Sequence, residues 1–590
     1  MLDPRIYRMG LIAVAVGVIL LAFSFDDQPG PVGTTLPPEA FNGQNAYRNM
    51  EGLAKKFPDR SPGSPGDNAL AGALGKALHR DGFAVSTRIA SAHTADGTRD
   101  LETVTAARPG LKSSGIVVVS HRDSRSPGDP AGLSGTAVML ELGRVLAGET
   151  QNRSLVLVST SGSLGSAGTT QLAKSLGTQV DAVIVLGDLA GSELREPVVV
   201  PWSGGQQVAP PILRNTITSA VSTQAGLSGG QTSLLGQLAH LAVPLSITEQ
   251  GPFGAAGHPS ALVSLSGQRS PNSDQTVTDA GRITGLGQAM LQTVNSLDGG
   301  PSVPAPTPYL LFSGKVVPPW AVKLFVLALM IPVLLTTIDG LARARRRGYP
   351  ILRWILWVLA GALPFVVAAL IVLAAKLVGL LGTAPPAPVG AGEVPLGSSG
   401  IVVLALVAVA IVGLLFARGP LLRLLTGGRE LGSPGNPGAG AAVLIVMCVV
   451  TLAIWLRNPY AAALIVPALH LWMWVLDPQK RIPRPAATVL MLAGLALPVL
   501  VVLYYARTFG LGPIDGAWTG VLTLAGGYVG LVAVLVWSLL LGCLASAVSI
   551  AVRRPRPERL SQDEVEVTMR GPVSYAGPGS LGGTKSALRR

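Results

Sequence analysis

Apolar positions follow two regimes along this 590-residue chain. In the first half they form short runs whose period switches between two and about 3.6, and from Trp320 onward they form stretches long enough to cross a bilayer. Those stretches are 320–338, 354–381, 401–417, 441–455, 460–476, 486–506 and 521–552. Ahead of them, 9–23 follows Arg5 and Arg8, extends to Phe25 and stops at Asp26 and Asp27. A basic flank and a short apolar run also describe a signal peptide, but no small-x-small cleavage pattern precedes Asp26, so an uncleaved anchor is expected. The prediction is an all-α membrane bundle, with one N-terminal span and about seven C-terminal spans.

Between anchor and bundle the pattern alternates helix and strand. Helices are predicted over 41–57, 68–78, 135–146, 167–176 and 278–297, and strands over 83–89, 101–106, 115–120, 154–160, 182–186 and 261–265. This is the order of an α/β domain. The predicted boundaries are an anchor at 1–25, a Pro/Gly/Thr-rich tether at 26–40, the α/β domain at 41–297 and a Pro/Ser linker at 298–318. The bundle follows at 319–552 and a basic, disordered tail at 553–590. The Pro/Gly-rich 382–400 is expected to be a disordered loop.

Charge refines the topology. The chain carries a net +13, yet 26–315 holds 20 basic and 22 acidic residues. The excess belongs to the membrane half, in clusters at Arg343, Arg345, Arg346 and Arg347, at Arg418, Arg423 and Arg429, at Lys480, Arg481 and Arg484, and beyond Arg553. These fall in every second loop, which by the positive-inside rule puts both termini in the cytoplasm and 26–316 outside. No nucleic-acid partner is implied. The two cysteines, Cys448 and Cys543, both lie inside predicted spans, so no disulfide framework is expected outside.

The candidate chemistry sits where a buried strand ends. Gly115 to Ser120 runs into His121-Arg122-Asp123, the place where a parallel sheet presents ligands. Other motifs follow in order: Arg60-Ser61-Pro62-Gly63 before it, then Ser134-Gly135, Gly162-Ser163-Leu164-Gly165-Ser166, Gly187-Asp188-Leu189-Ala190-Gly191 and Pro252-Phe253. Together they resemble metallopeptidase family 28, the exopeptidases with a co-catalytic zinc pair. The resemblance implies a zinc-exopeptidase-like three-layer α/β domain with a mixed, mostly parallel sheet. A family 28 domain between one span and a span bundle is also similar in architecture to endoplasmic-reticulum membrane metallopeptidases and to the attachment subunit of the GPI transamidase.

By that resemblance His121 and Asp188 correspond to ligands of one zinc, and Asp123 to the acid that orients His121. The bridging aspartate falls at Ala131. The paired glutamates, one of them the base, fall within Ser159, Thr160 and Ser161, and the last histidine falls near Arg269. Five ligands and a base are needed. His121 and Asp188 alone would hold zinc weakly, so no cofactor is expected beyond zinc at low occupancy. Asp129 and His258 are the residues a shifted alignment would recruit. His121, Asp123 and Asp188 then read either as a hydrogen-bonded polar remnant or as an atypical metal site. The expected function is a membrane-anchored pseudo-peptidase that binds a peptide, an envelope component or a partner protein, in a bacterial plasma membrane by its Ala/Gly/Arg-rich composition. The alternative is an active zinc aminopeptidase.

Overall fold

The computed structural model describes residues 3–230, 232–269, 277–382, 384–425, 437–477, 480 and 482–553. Apart from Arg553, the predicted disordered tail lies outside the described residues. In chain order the strands are β1 (Asp26–Asp27), β2 (Ala84–Thr94), β3 (Gly97–Arg108), β4 (Lys112–His121), β5 (Arg153–Thr160), β6 (Val180–Leu186), β7 (Val199–Val200), β8 (Ser260–Val263), β9 (Leu310–Phe312) and β10 (Lys315–Val317). Seven of them form one sheet in the order β2-β3-β5-β4-β6-β8-β7.

The four central strands, β5, β4, β6 and β8, are parallel. The pairings β2–β3, β3–β5 and β7–β8 are antiparallel. The sheet is therefore mixed as expected, but parallel pairing is confined to its centre. The reason is the β2–β3 hairpin, whose turn at Gly97, with φ +108°, returns the chain antiparallel along one edge. Ile116, Val117, Val118 and Val119 of β4 are all buried, the continuous apolar run of a strand covered on both faces.

Alternate residues of that run serve two cores. Ile116 and Val118 join Leu157 and Ile184 against helices Gly43–Lys56, Pro65–Arg80, Ser134–Leu146, Pro211–Ala225 and Ala280–Gly299. Val117 and Val119 join Val158, Val183 and Val185 on the other face, against Leu172, Leu241 and Phe253. This second core runs without a break through Tyr309, Val317 and Val322 into Trp354, Tyr460 and Tyr505 of the long apolar helices. The α/β domain therefore sits on the bundle as one packed body.

The stretches read as tether and linker are packed segments. β1 pairs antiparallel with β10, Asp26 opposite Val316, and β10 returns along β9. The Val32 N–H donates to Thr216 Oγ1 at 2.9 Å, and Thr307 bridges to Val208. Side-by-side helices cause this: Pro4–Ala22 lies along Pro319–Arg346. A Cβ on Gly10 would come within 2.5 Å of Pro332 Cα, and one on Gly17 within 2.6 Å of Ala328 Cβ. The two helices thus leave the bundle together and their chains zip.

Among the described residues, seven helices are long and apolar enough to cross a membrane, and eight if one bent pair is a single span. That pair is Arg484–Gly494 and Ala496–Phe509, bent by 51°. Pro498 has no N–H to offer the Gly494 carbonyl, which breaks the ladder there. The predicted span 521–552 divides into Pro513–Ala525 and Leu531–Val552 at Gly526-Gly527, with Gly527 at φ +82°. The loop expected to be disordered is packed in its described part: Val389 is buried and Trp518 Nε1 donates to the Val394 carbonyl at 3.0 Å.

A candidate binding site at the sheet edge

Register brings the parallel strands to one edge: His121 lies opposite Thr160, Ser120 opposite Leu186, and Leu186 opposite Val263. The loops leaving that edge wall a cleft of about 130 Å³. It lies below the ~300 Å³ from which small-molecule pockets usually start, and suits one side chain or chain end. His121, Asp123 and Asp129 reach it from β4 and the loop after it, Ser163 from after β5, Asp188 from after β6, and Arg269 from after β8. Two walls come from elsewhere: Asp96 from the β2–β3 turn, and Glu393 from the loop 378–397 between two bundle helices. Arg125 spans these walls, paired with Asp96 and donating to the Glu393 carbonyl at 2.5 Å.

At the floor, His121 Nδ1 donates to Glu249 Oε2 at 2.6 Å, both side chains 9% exposed. Burial on its own would lower the imidazole pKa. The adjacent Glu249 charge and its hydrogen bond outweigh burial and raise the pKa to about 9, so His121 is an imidazolium at neutral pH. Glu249 comes from the loop before the short helix Gly251–Ala255, and it stands outside every motif of the sequence reading.

The aspartates are engaged as acceptors. Asp123 Oδ2 takes the Ser163 N–H at 3.0 Å and the Ser163 hydroxyl at 2.9 Å, and burial pushes its pKa up to about 6 against the lowering charge of His121. Asp188 Oδ1 accepts the Ala190 and Gly191 N–H groups at 3.1 and 2.8 Å, and Oδ2 accepts Ser266 Oγ at 3.2 Å. Burial raises the Asp188 pKa, with those bonds opposing. Asp129 caps its own loop through the Ala131 and Gly132 N–H groups.

Ala131, Ser159, Thr160 and Ser161 are buried and do not wall the cleft. Ser161 Oγ donates instead to Asp67 Oδ2 at 2.7 Å. Asp67 is also the partner of Arg122, Nε to Oδ1 2.8 Å, with both side chains fully buried. The middle residue of His-x-Asp is thus a structural anchor. Arg269 walls the cleft, but its guanidinium turns away and donates to the Thr508 and Arg507 carbonyls at 2.6 and 2.5 Å. It caps the C-terminal end of Ala496–Phe509, where a cation is favoured. His258 precedes β8, at the opposite end of the sheet from His121, so the shifted alignment gains nothing from it.

A zinc pair requires several free donors converging on each ion. Here the positions that the resemblance assigns to the other ligands and the base carry Ala131, Ser159, Thr160, Ser161 and Arg269, and the Arg269 guanidinium bonds the Thr508 and Arg507 carbonyls. Among the described residues no group of three or more His, Cys, Asp or Glu is disposed to hold a metal. The donor set does not fit the zinc pair.

No family model matches the chain, and no curated protein matches it. Among solved structures it is similar to a glutaminyl cyclase of Porphyromonas gingivalis, with 16% identity, 43% of this chain and 98% of that one covered, and a TM-score of 0.35. It is also similar to a zinc aminopeptidase of Bacillus subtilis, at 12% identity over 43% of this chain and 94% of that one, TM-score 0.34. A Zn-dependent exopeptidase of Parabacteroides distasonis gives 14% identity over 43% and 98%, TM-score 0.34. At these levels the likeness carries nothing about chemistry.

Proposed function

We propose that this chain is a membrane protein whose apolar helices cross a bilayer and hold the α/β domain on the face opposite the arginine clusters. That domain binds and does not cleave. It is a pseudo-peptidase whose sheet-edge cleft receives the end of a peptide, an envelope component or a segment of a partner protein. The observation that supports this reading is the buried Ser159, Thr160 and Ser161, with Ser161 bonded to Asp67, standing where the resemblance puts the base and a ligand. The imidazole that the family resemblance assigns to zinc pairs with Glu249 at 2.6 Å, and a metal would have to displace its proton. The hydroxyls at Ser159 and Ser161 supply no carboxylate base. A cleft that keeps its walls without its metals keeps its capacity to bind.

The test is the zinc content of the purified full chain after zinc loading and desalting, alongside hydrolysis of a panel of aminoacyl substrates, with His121→Ala as control. Background zinc and no hydrolysis are expected. Stoichiometric zinc lost in His121→Ala, with hydrolysis lost in parallel, would establish the atypical exopeptidase instead.

A further inference from the structure

Helix Ser398–Leu425 stands at the edge of the bundle, with only 11% of its most apolar window covered, yet its Arg418 is 7% exposed. The guanidinium carbon lies 4.0 Å from the centroid of the Trp357 ring. It donates to the Trp357 carbonyl and, at 2.7 Å, to Ser546 Oγ. Glycine makes the room: a Cβ on Gly361 would sit 3.1 Å from that carbon. The buried Nε–H has no acceptor among the described residues. Among the described residues its hydrogen-bond partners are the Trp357 carbonyl and the Ser546 hydroxyl, both neutral, and no carboxylate pairs with it. A buried cation among apolar helices is costly without an anion. In the sequence the one acid between 397 and 476 is Glu430.

We propose that Arg418 anchors the phosphate of an anionic phospholipid, seated between Ile351–Ala360, Ser398–Leu425 and Leu531–Val552. The inference rests on those helices lying in a bilayer. The planar fork of arginine matches phosphate oxygens, and the surrounding basic clusters concentrate anionic lipid at that leaflet. Trp357 and Ser546 hold the guanidinium in place before the lipid arrives.

The test uses the purified full chain and its Arg418→Met and Glu430→Gln variants in discs of phosphatidylcholine with or without phosphatidylglycerol, reading the thermal midpoint and the lipid retained by native mass spectrometry. Phosphatidylglycerol is expected to raise the midpoint and stay bound in the wild type and in Glu430→Gln, and to do neither in Arg418→Met. An equal response in Arg418→Met overturns the proposal, as does a Glu430→Gln variant that behaves like Arg418→Met, since the anion would then be the chain's own. Inorganic phosphate reproducing the rise in detergent would overturn the lipid assignment. If Arg418→Met does not fold, Arg418→Lys keeps the charge without the fork. Weaker phosphatidylglycerol retention is expected of it, and unchanged retention refutes the proposal.

Discussion

Glu249 meets His121 across 128 residues of sequence, and the character of the cleft follows from that encounter. His121 has a pKa of about 9 in the fold against 6.5 unfolded. A base whose pKa rises on folding contributes stability that is fully present below the unfolded value and is lost as pH rises through the folded one. Thermal midpoints are therefore expected to fall between about pH 6.5 and 9, and to lose that slope in Glu249→Gln. Glu249→Ala, which strips the acid from a buried pair, is expected to cost ~3 kcal/mol in denaturant titrations. At this scale the sequence was half legible. His121, Asp123 and Asp188 announce themselves at strand ends, and the structure gathers them in one cleft. Glu249 lies on a loop with no motif; its only signal is a lone acid in the run Pro244-Leu245-Ser246-Ile247-Thr248-Glu249, which is otherwise apolar and hydroxylic.

Elements were more legible where pattern alone decides them. Hydropathy locates the candidate spans because a long apolar run has few alternatives, whereas it cannot show where one run breaks into two helices. Pro498 and Gly526-Gly527 mark those breaks, and they act through a lost donor and a turn, not through polarity. Pro332 also withholds a donor, but inside Pro319–Arg346, which runs on as one helix, and His470 bonds the same stretch. The His470 Nε2–H donates to the Leu329 carbonyl at 2.9 Å, three residues before the proline, while Nδ1 accepts from the Tyr7 hydroxyl at 2.8 Å. This histidine thus ties the N-terminal helix to the loosened turn of its neighbour. His470→Ala is expected to cost about 1 kcal/mol for each bond lost, read as a lower thermal midpoint in detergent with zinc content and ligand binding unchanged. Tyr7→Phe should reproduce about half of that loss.

At the scale of the molecule, the sequence separated what the structure joins. An α/β domain of some 250 residues has the size to fold alone. Composition cannot reveal that one face of its sheet is completed by helices from the other half. Val119, Val185, Trp202 and Phe253 share a single core with the bundle, and Arg269 fastens the cleft wall to the end of Ala496–Phe509. A fragment spanning 41–297 is therefore expected to aggregate, or to bind a hydrophobic dye strongly, where the full chain in detergent does neither. A monodisperse fragment with a cooperative melt would show that the shared core is dispensable.

The pairing of β1 with β10 sets an order on synthesis. Between Ala22 and Pro319 lie 296 residues, 319 − 22 − 1, and the N-terminal helix meets its neighbour only after all of them have left the ribosome. Closing a loop of that length in an unfolded chain costs about 5 kcal/mol. Once the intervening domain has folded, its two ends are already held together and that cost has been met. Helix Pro4–Ala22 is in this way made long before it can be packed.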